Sequence, residues 1–114
     1  MPAEVTSHEL ASLLSGTEIP VLVDFWAPWC GPCKAMLPAL IGLEKELEGR
    51  LKVVKVNIDQ NPDVLSECRV QSIPTLVLWV PGKNEVARRV GAASLAQLRE
   101  FVSGRIGEFK SPQG

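Results

Sequence analysis

Apolar residues recur along the chain at two spacings, and the changes from one to the other mark its elements. Leu10, Leu13 and Leu14 sit at helical spacing behind Thr6-Ser7-His8-Glu9. That sequence has the T-x-x-E form in which the first side chain and the glutamate each satisfy the other's backbone N–H, so a helix is predicted over residues 7–15. Gly16 and Pro20 interrupt the pattern. Residues 21–27 are then apolar except at Asp24, with the β-branched and aromatic content of a central strand covered on both faces. From Cys33 onward Met36, Leu37, Leu40, Leu43 and Leu47 trace one face of a longer helix ending at Gly49. Pro38 lies inside that helix and is expected to bend it and aid its packing.

Residues 51–58 read as a second strand, and Asn61-Pro62 as an N-cap with proline at the first helical position of a short helix reaching about Arg69. Two further strand-like runs, residues 74–80 and 85–90, are joined by Pro81-Gly82-Lys83-Asn84, a link short enough for an antiparallel hairpin. Ser94-Leu95-Ala96-Gln97 opens a final helix as an S-x-x-Q box, with Leu95, Leu98, Phe101, Val102 and Ile106 on one face. The order βαβα followed by ββα implies an α/β fold: a parallel pair, a hairpin that completes a mixed sheet, and helices on both faces.

Composition narrows this further. The 114 residues, 46% of them hydrophobic, suit a single domain over residues 1–106, and residues 107–114, with only Phe109 to bury, are expected to be a flexible tail. Twelve Lys plus Arg stand against 13 Asp plus Glu, so charge favours neither nucleic acid nor an anionic membrane as partner. The longest apolar runs are strand-sized, and MPAEVTSHEL has neither the basic patch nor the apolar core of a signal peptide, so a cytoplasmic protein is expected.

The candidate chemistry lies in Trp29-Cys30-Gly31-Pro32-Cys33-Lys34. Three cysteines in a chain able to build a core do not make a secreted disulfide framework, which leaves a metal site, a staple or a working redox pair. A structural zinc takes four ligands, and beyond the pair only Cys68 and His8 are on offer, so no metal is expected and His8 reads as a surface helix residue. A staple between residues three apart removes little chain entropy, and Gly31-Pro32 sets how strained its ring is. As a redox pair, Cys30 falls at a helix N-terminus, where unpaired N–H groups and the dipole favour a thiolate. Cys33, one turn on, is expected to be the more buried of the two and to resolve mixed disulfides.

The segment Asp24 to Lys34, with Lys55-Val56-Asn57-Ile58-Asp59, Ile73-Pro74-Thr75 and Val90-Gly91-Ala92 following in order, resembles the thioredoxin family over roughly residues 4–106. The resemblance implies a thioredoxin fold, a central mixed sheet of about five strands flanked by about four helices. It implies a monomeric protein-disulfide reductase without bound cofactor, whose redox group is a Cys30–Cys33 disulfide. Substrates would be diverse disulfide-containing proteins, and a thioredoxin reductase, NADPH- or ferredoxin-linked, would recycle it. Burial of Asp24 in an apolar strand should raise its pKa toward neutrality. The resemblance makes Asp24 the proton acceptor for Cys33, with Lys55 modulating its charge.

By the same resemblance the Ile73–Pro74 bond is cis, Ile73 offers its backbone to an extended substrate segment, and Trp29, Gly31, Pro32, Ile73, Pro74, Gly91 and Ala92 form the binding rim. Trp26 is expected beneath the site. Cys68 is open to two readings, an inert half-buried thiol or a regulatory one whose pKa Arg69 lowers. The rivals to reduction are a disulfide oxidase or isomerase, and a binding module of the same fold whose cysteines are incidental.

Overall fold

The structure, a computed structural model, describes residues 1–106. The tail expected over residues 107–114 lies outside the described residues. In chain order the elements are β1 (Ala3–Glu4), α1 (Ser7–Gly16), β2 (Val21–Trp26), α2 (Gly31–Glu46), β3 (Lys52–Asn57), α3 (Val64–Glu67), β4 (Thr75–Val80), β5 (Asn84–Val90) and α4 (Leu95–Val102).

The strands form one mixed sheet in the order β1-β3-β2-β4-β5. β3 pairs in parallel with both β1 and β2, while β4 runs antiparallel to β2 and to β5. Side-chain alternation then divides the core in two. Leu22, Val53, Leu76 and Leu78 pack with Met36, Leu40 and Leu43 of α2 and with Leu98, Phe101 and Val102 of α4. Val21, Val23, Phe25, Val54, Val56 and Val77 pack on the opposite face with Leu10 of α1 and Val64 of α3. Each such side chain contributes about 1.5–3 kcal/mol when fully buried.

Both predicted capping boxes form. Thr6 Oγ1 accepts from Glu9 N at 3.1 Å while Thr6 N donates to Glu9 Oε1 at 2.8 Å, and Ser94 and Gln97 exchange bonds of 3.1 and 2.9 Å. An N-cap of this kind is worth about 1 kcal/mol.

Elsewhere the structure corrects the sequence reading. β1 was not expected, because two exposed residues at a sheet edge carry no hydrophobic period. α2 spans Gly31–Glu46 with Cys30 as its N-cap, the helix N-terminal place expected for it, although the apolar face is traced only from Cys33, and Pro38 is exposed within the helix. α3 is only Val64–Glu67 and starts after Asp63, so Asn61 does not cap it. Asn61 is buried instead, its Oδ1 accepting from Ser7 N at 2.9 Å and its Nδ2 donating to Asn57 O at 3.0 Å. A tertiary tie to the start of α1 thus takes the side chain that local pattern gave to a cap. β5 starts at Asn84, in left-handed backbone at φ 66°, and the register between β4 and β5 breaks between Leu78 and Trp79.

Candidate active site

β2 ends beneath the N-terminus of α2, and the connection between them ends on Cys30. Cys30 N donates to Ala27 O at 3.0 Å, and Cys30 O accepts the helical bond from Lys34 N at 3.2 Å. Cys30 and Cys33 are joined as a disulfide with their Cα atoms 5.3 Å apart. Cys33 N donates to Cys30 Sγ at 3.1 Å, so the N-cap sulfur takes one of the orphan donors of the helix. That bond and the helix dipole stabilise negative charge on Cys30 once the disulfide opens.

Cys33 is the more buried of the two, as expected, but by a narrow margin: Cys30 is 5% exposed and Cys33 3%. The ring draws both into one cluster with Ala27, and Trp26, Ile58 and Ile73 pack around it. Their inequality lies in the hydrogen bond, which only Cys30 Sγ receives from the first turn of the helix.

Asp24 shares its face of β2 with Leu22 and so points under α2. It is 2% exposed, and its Oδ1 has no hydrogen-bond partner among the described residues. Burial pushes its pKa up to about 7, the Lys55 ammonium pulls it down, and Glu4 pushes it up again. Asp24, Trp26, Cys33, Lys34, Leu37 and Lys55 line one small cavity of about 230 Å³, which the carboxyl and the second cysteine thus share. Lys55 lies directly opposite Asp24 in the β2–β3 register. Its Nζ stands 3.9 Å from Glu4 Oε1 and 4.1 Å from the centre of the Trp26 ring. Trp26 is half-buried beneath the site, its indole N–H donating to Glu4 Oε2 at 3.2 Å.

The Ile73–Pro74 peptide is cis, and Pro74 O accepts from Gly91 N at 2.9 Å, bringing the start of β4 and the end of β5 together. Gly91 has φ +99°, a conformation that favours glycine. Trp29 is 67% exposed beside the disulfide, and its indole N–H is shared between the two oxygens of Asp59, at 3.0 and 3.2 Å. Asp59 closes the Lys55-Val56-Asn57-Ile58-Asp59 segment, where the sequence pattern alone assigns it no role. Pro32 and Ala92 are exposed, while Pro38 sits among neither the residues of the cysteine cluster nor those of the cavity.

Cys68 does not join the site. It is a free, half-buried thiol at the end of α3, packed against the cluster on the α1 and α3 face. Burial, followed by Glu67, raises its pKa, and the opposing cation is Arg88 rather than the expected Arg69. The Arg88 guanidinium donates to Cys68 O and Arg69 O at 2.8 and 2.9 Å and grips Glu85 through two further bonds of 2.8 and 2.9 Å. His8 is an exposed residue of α1.

The family model described as Thioredoxin matches residues 1–104. The chain belongs to the thioredoxin family. It is 47% identical over 101 residues to "Thioredoxin 1" of Chlorobaculum tepidum, an alignment covering 89% of this chain and 99% of the relative. It is 45% identical over 106 residues to the thioredoxin of Rickettsia felis, covering 93% and 100%. The crystal structure of a chloroplastic thioredoxin z superposes with a TM-score of 0.82 at 35% identity, covering 92% of this chain and 93% of that one. The fold is accordingly the thioredoxin fold, and the chain is a thiol–disulfide oxidoreductase that reduces protein disulfides, with Cys30–Cys33 as its redox group. Among the described residues no helix is long and apolar enough to cross a membrane.

Proposed function

We propose that the reduced protein attacks through Cys30 and resolves through Cys33, with Asp24 taking the proton. The Cys30 thiolate attacks one sulfur of a substrate disulfide, whose S–S bond breaks as the Cys30–substrate bond forms, and the departing sulfur leaves as a thiolate and is protonated. Cys33 then passes its thiol proton to the Asp24 carboxylate, and its sulfur attacks Cys30 Sγ. The Cys30–substrate bond breaks, the second substrate sulfur leaves, and the cysteine pair has lost the two electrons the substrate has gained. The observation that carries this order is the bond from Cys33 N to Cys30 Sγ at the helix N-terminus.

Lys55, opposite Asp24, sets how readily that carboxyl ionises. Trp29, Gly31, Pro32, Ile73, Pro74, Gly91 and Ala92 receive the substrate, with the Ile73 backbone pairing to its main chain, which suits a broad range of proteins. Trp26 supports the site from below. Cys68, with its raised pKa, stays outside the cycle. Residues 1–106 act as one domain and as a monomer, in the cytoplasm, with no bound cofactor, and electrons return from a thioredoxin reductase, NADPH- or ferredoxin-linked.

Reduction of insulin disulfides with dithiothreitol as electron source tests the assignment. Cys30→Ser should abolish the acceleration, and Cys33→Ser should accumulate a mixed disulfide on Cys30. Equal rates for Cys30→Ser and the natural chain, or adducts confined to Cys68, would sink it.

A further inference from the structure

β1 is only two residues long, yet it completes a row of charges across three strands. Glu4 lies opposite Lys55 in the β1–β3 register, and Asp24 lies opposite the same Lys55 in the β2–β3 register. Parallel strands in register place opposed side chains on one face, so the row reads carboxylate, ammonium, carboxyl. The ammonium is drawn to the outer member: Lys55 Nζ is 3.9 Å from Glu4 Oε1 and stacks over Trp26 at 4.1 Å, while Glu4 Oε2 holds the Trp26 indole N–H at 3.2 Å. Glu4 and Trp26 together form a seat for the cation. The inner member, Asp24, keeps a buried oxygen without a partner among the described residues.

We propose that Glu4 is a positioning residue for the resolving step: by seating the Lys55 ammonium at the outer end of the row, it leaves Asp24 free to take up the proton of Cys33. This rests on the reading of Asp24 as proton acceptor for Cys33. The groups facing Asp24 are Lys55 from β3, Glu4 from β1, and Cys33 and Lys34 from α2 around the shared cavity. Its antiparallel neighbour on β4 is the apolar Leu76. Without the Glu4 charge both effects act in one direction. A negative charge is removed and the cation is freed toward Asp24, so the carboxylate form is favoured. The charges are two strand spacings apart, about 10 Å, and partly screened by water, which corresponds to a fall of about half a pH unit in the Asp24 midpoint.

Glu4→Gln tests this, since the amide oxygen still accepts the indole N–H but carries no charge. NMR titration of the Asp24 side-chain carbon in the reduced protein should show the lower midpoint, and the pH profile for decay of the mixed disulfide should move the same way. Glu4→Asp, which keeps the charge, should restore the natural midpoint. Repeating Glu4→Gln in a Lys55→Gln background should give a smaller shift, because the seated cation is gone. An unmoved Asp24 midpoint, or a full shift without Lys55, overturns the role of Glu4. If the midpoint moves but Asp24→Asn resolves mixed disulfides at the natural rate, the reading of Asp24 fails and the proposal fails with it.

Discussion

Val23, Asp24 and Phe25 are consecutive in β2, equally deep, and differ in which face of the sheet they enter. Val23 and Phe25 join a dry cluster with α1 and α3, at 1% exposure each. Asp24, at 2%, enters the face under α2, where Leu22 gives way to a carboxyl, a lysine and a cavity shared with Cys33. One face carries stability alone. The other gives up some stability to keep a titratable group at the end of the sheet where the sulfur chemistry occurs.

Emptying the dry face should have the largest effect. Phe25→Ala should cost about 3–5 kcal/mol of unfolding free energy, nearly the same at every pH, as read by denaturant titration. Asp24→Asn should act in the opposite sense and with pH dependence. An unfolded aspartate ionises near pH 4 and the folded one at about 7, so between those values the native state binds more protons and stability falls as pH rises. The loss is complete above the folded value and amounts to about 4 kcal/mol. Asp24→Asn should therefore stabilise the protein by up to about that amount at pH 8 and by little at pH 4. A gain that is the same at both pH values would show that the buried charge is not its source. The smallest effect belongs to an exposed turn outside both faces. Arg69 follows α3 with φ 56°, a left-handed position usually held by glycine, so Arg69→Gly should raise stability by about 0.5–1 kcal/mol without pH dependence.

The two faces were not equally legible in the sequence. Apolar periodicity announced β2 to β5, the capping boxes announced α1 and α4, and Asp24 stood out as the single polar residue in an apolar strand. What escaped was settled by contacts between distant segments. β1 is held by backbone pairing with Val54 and Lys55, a partnership that leaves no trace in side-chain pattern, and Glu4 was missed with it. Asn61 reads locally as a cap but bonds to Ser7, 54 residues away. Arg69 is the cation next to Cys68 in sequence, whereas Arg88 reaches it across from β5. Cys30, expected to be the accessible thiol, is nearly as buried as Cys33, a closeness their positions on the helix did not reveal.

β5 leaves the outer side of the sheet open, and an open edge is a template on which another copy can add a strand. The register break between Leu78 and Trp79 bends this edge away from flatness. The break in β5 thus works against fibril-like self-association and favours colloidal stability in concentrated solution.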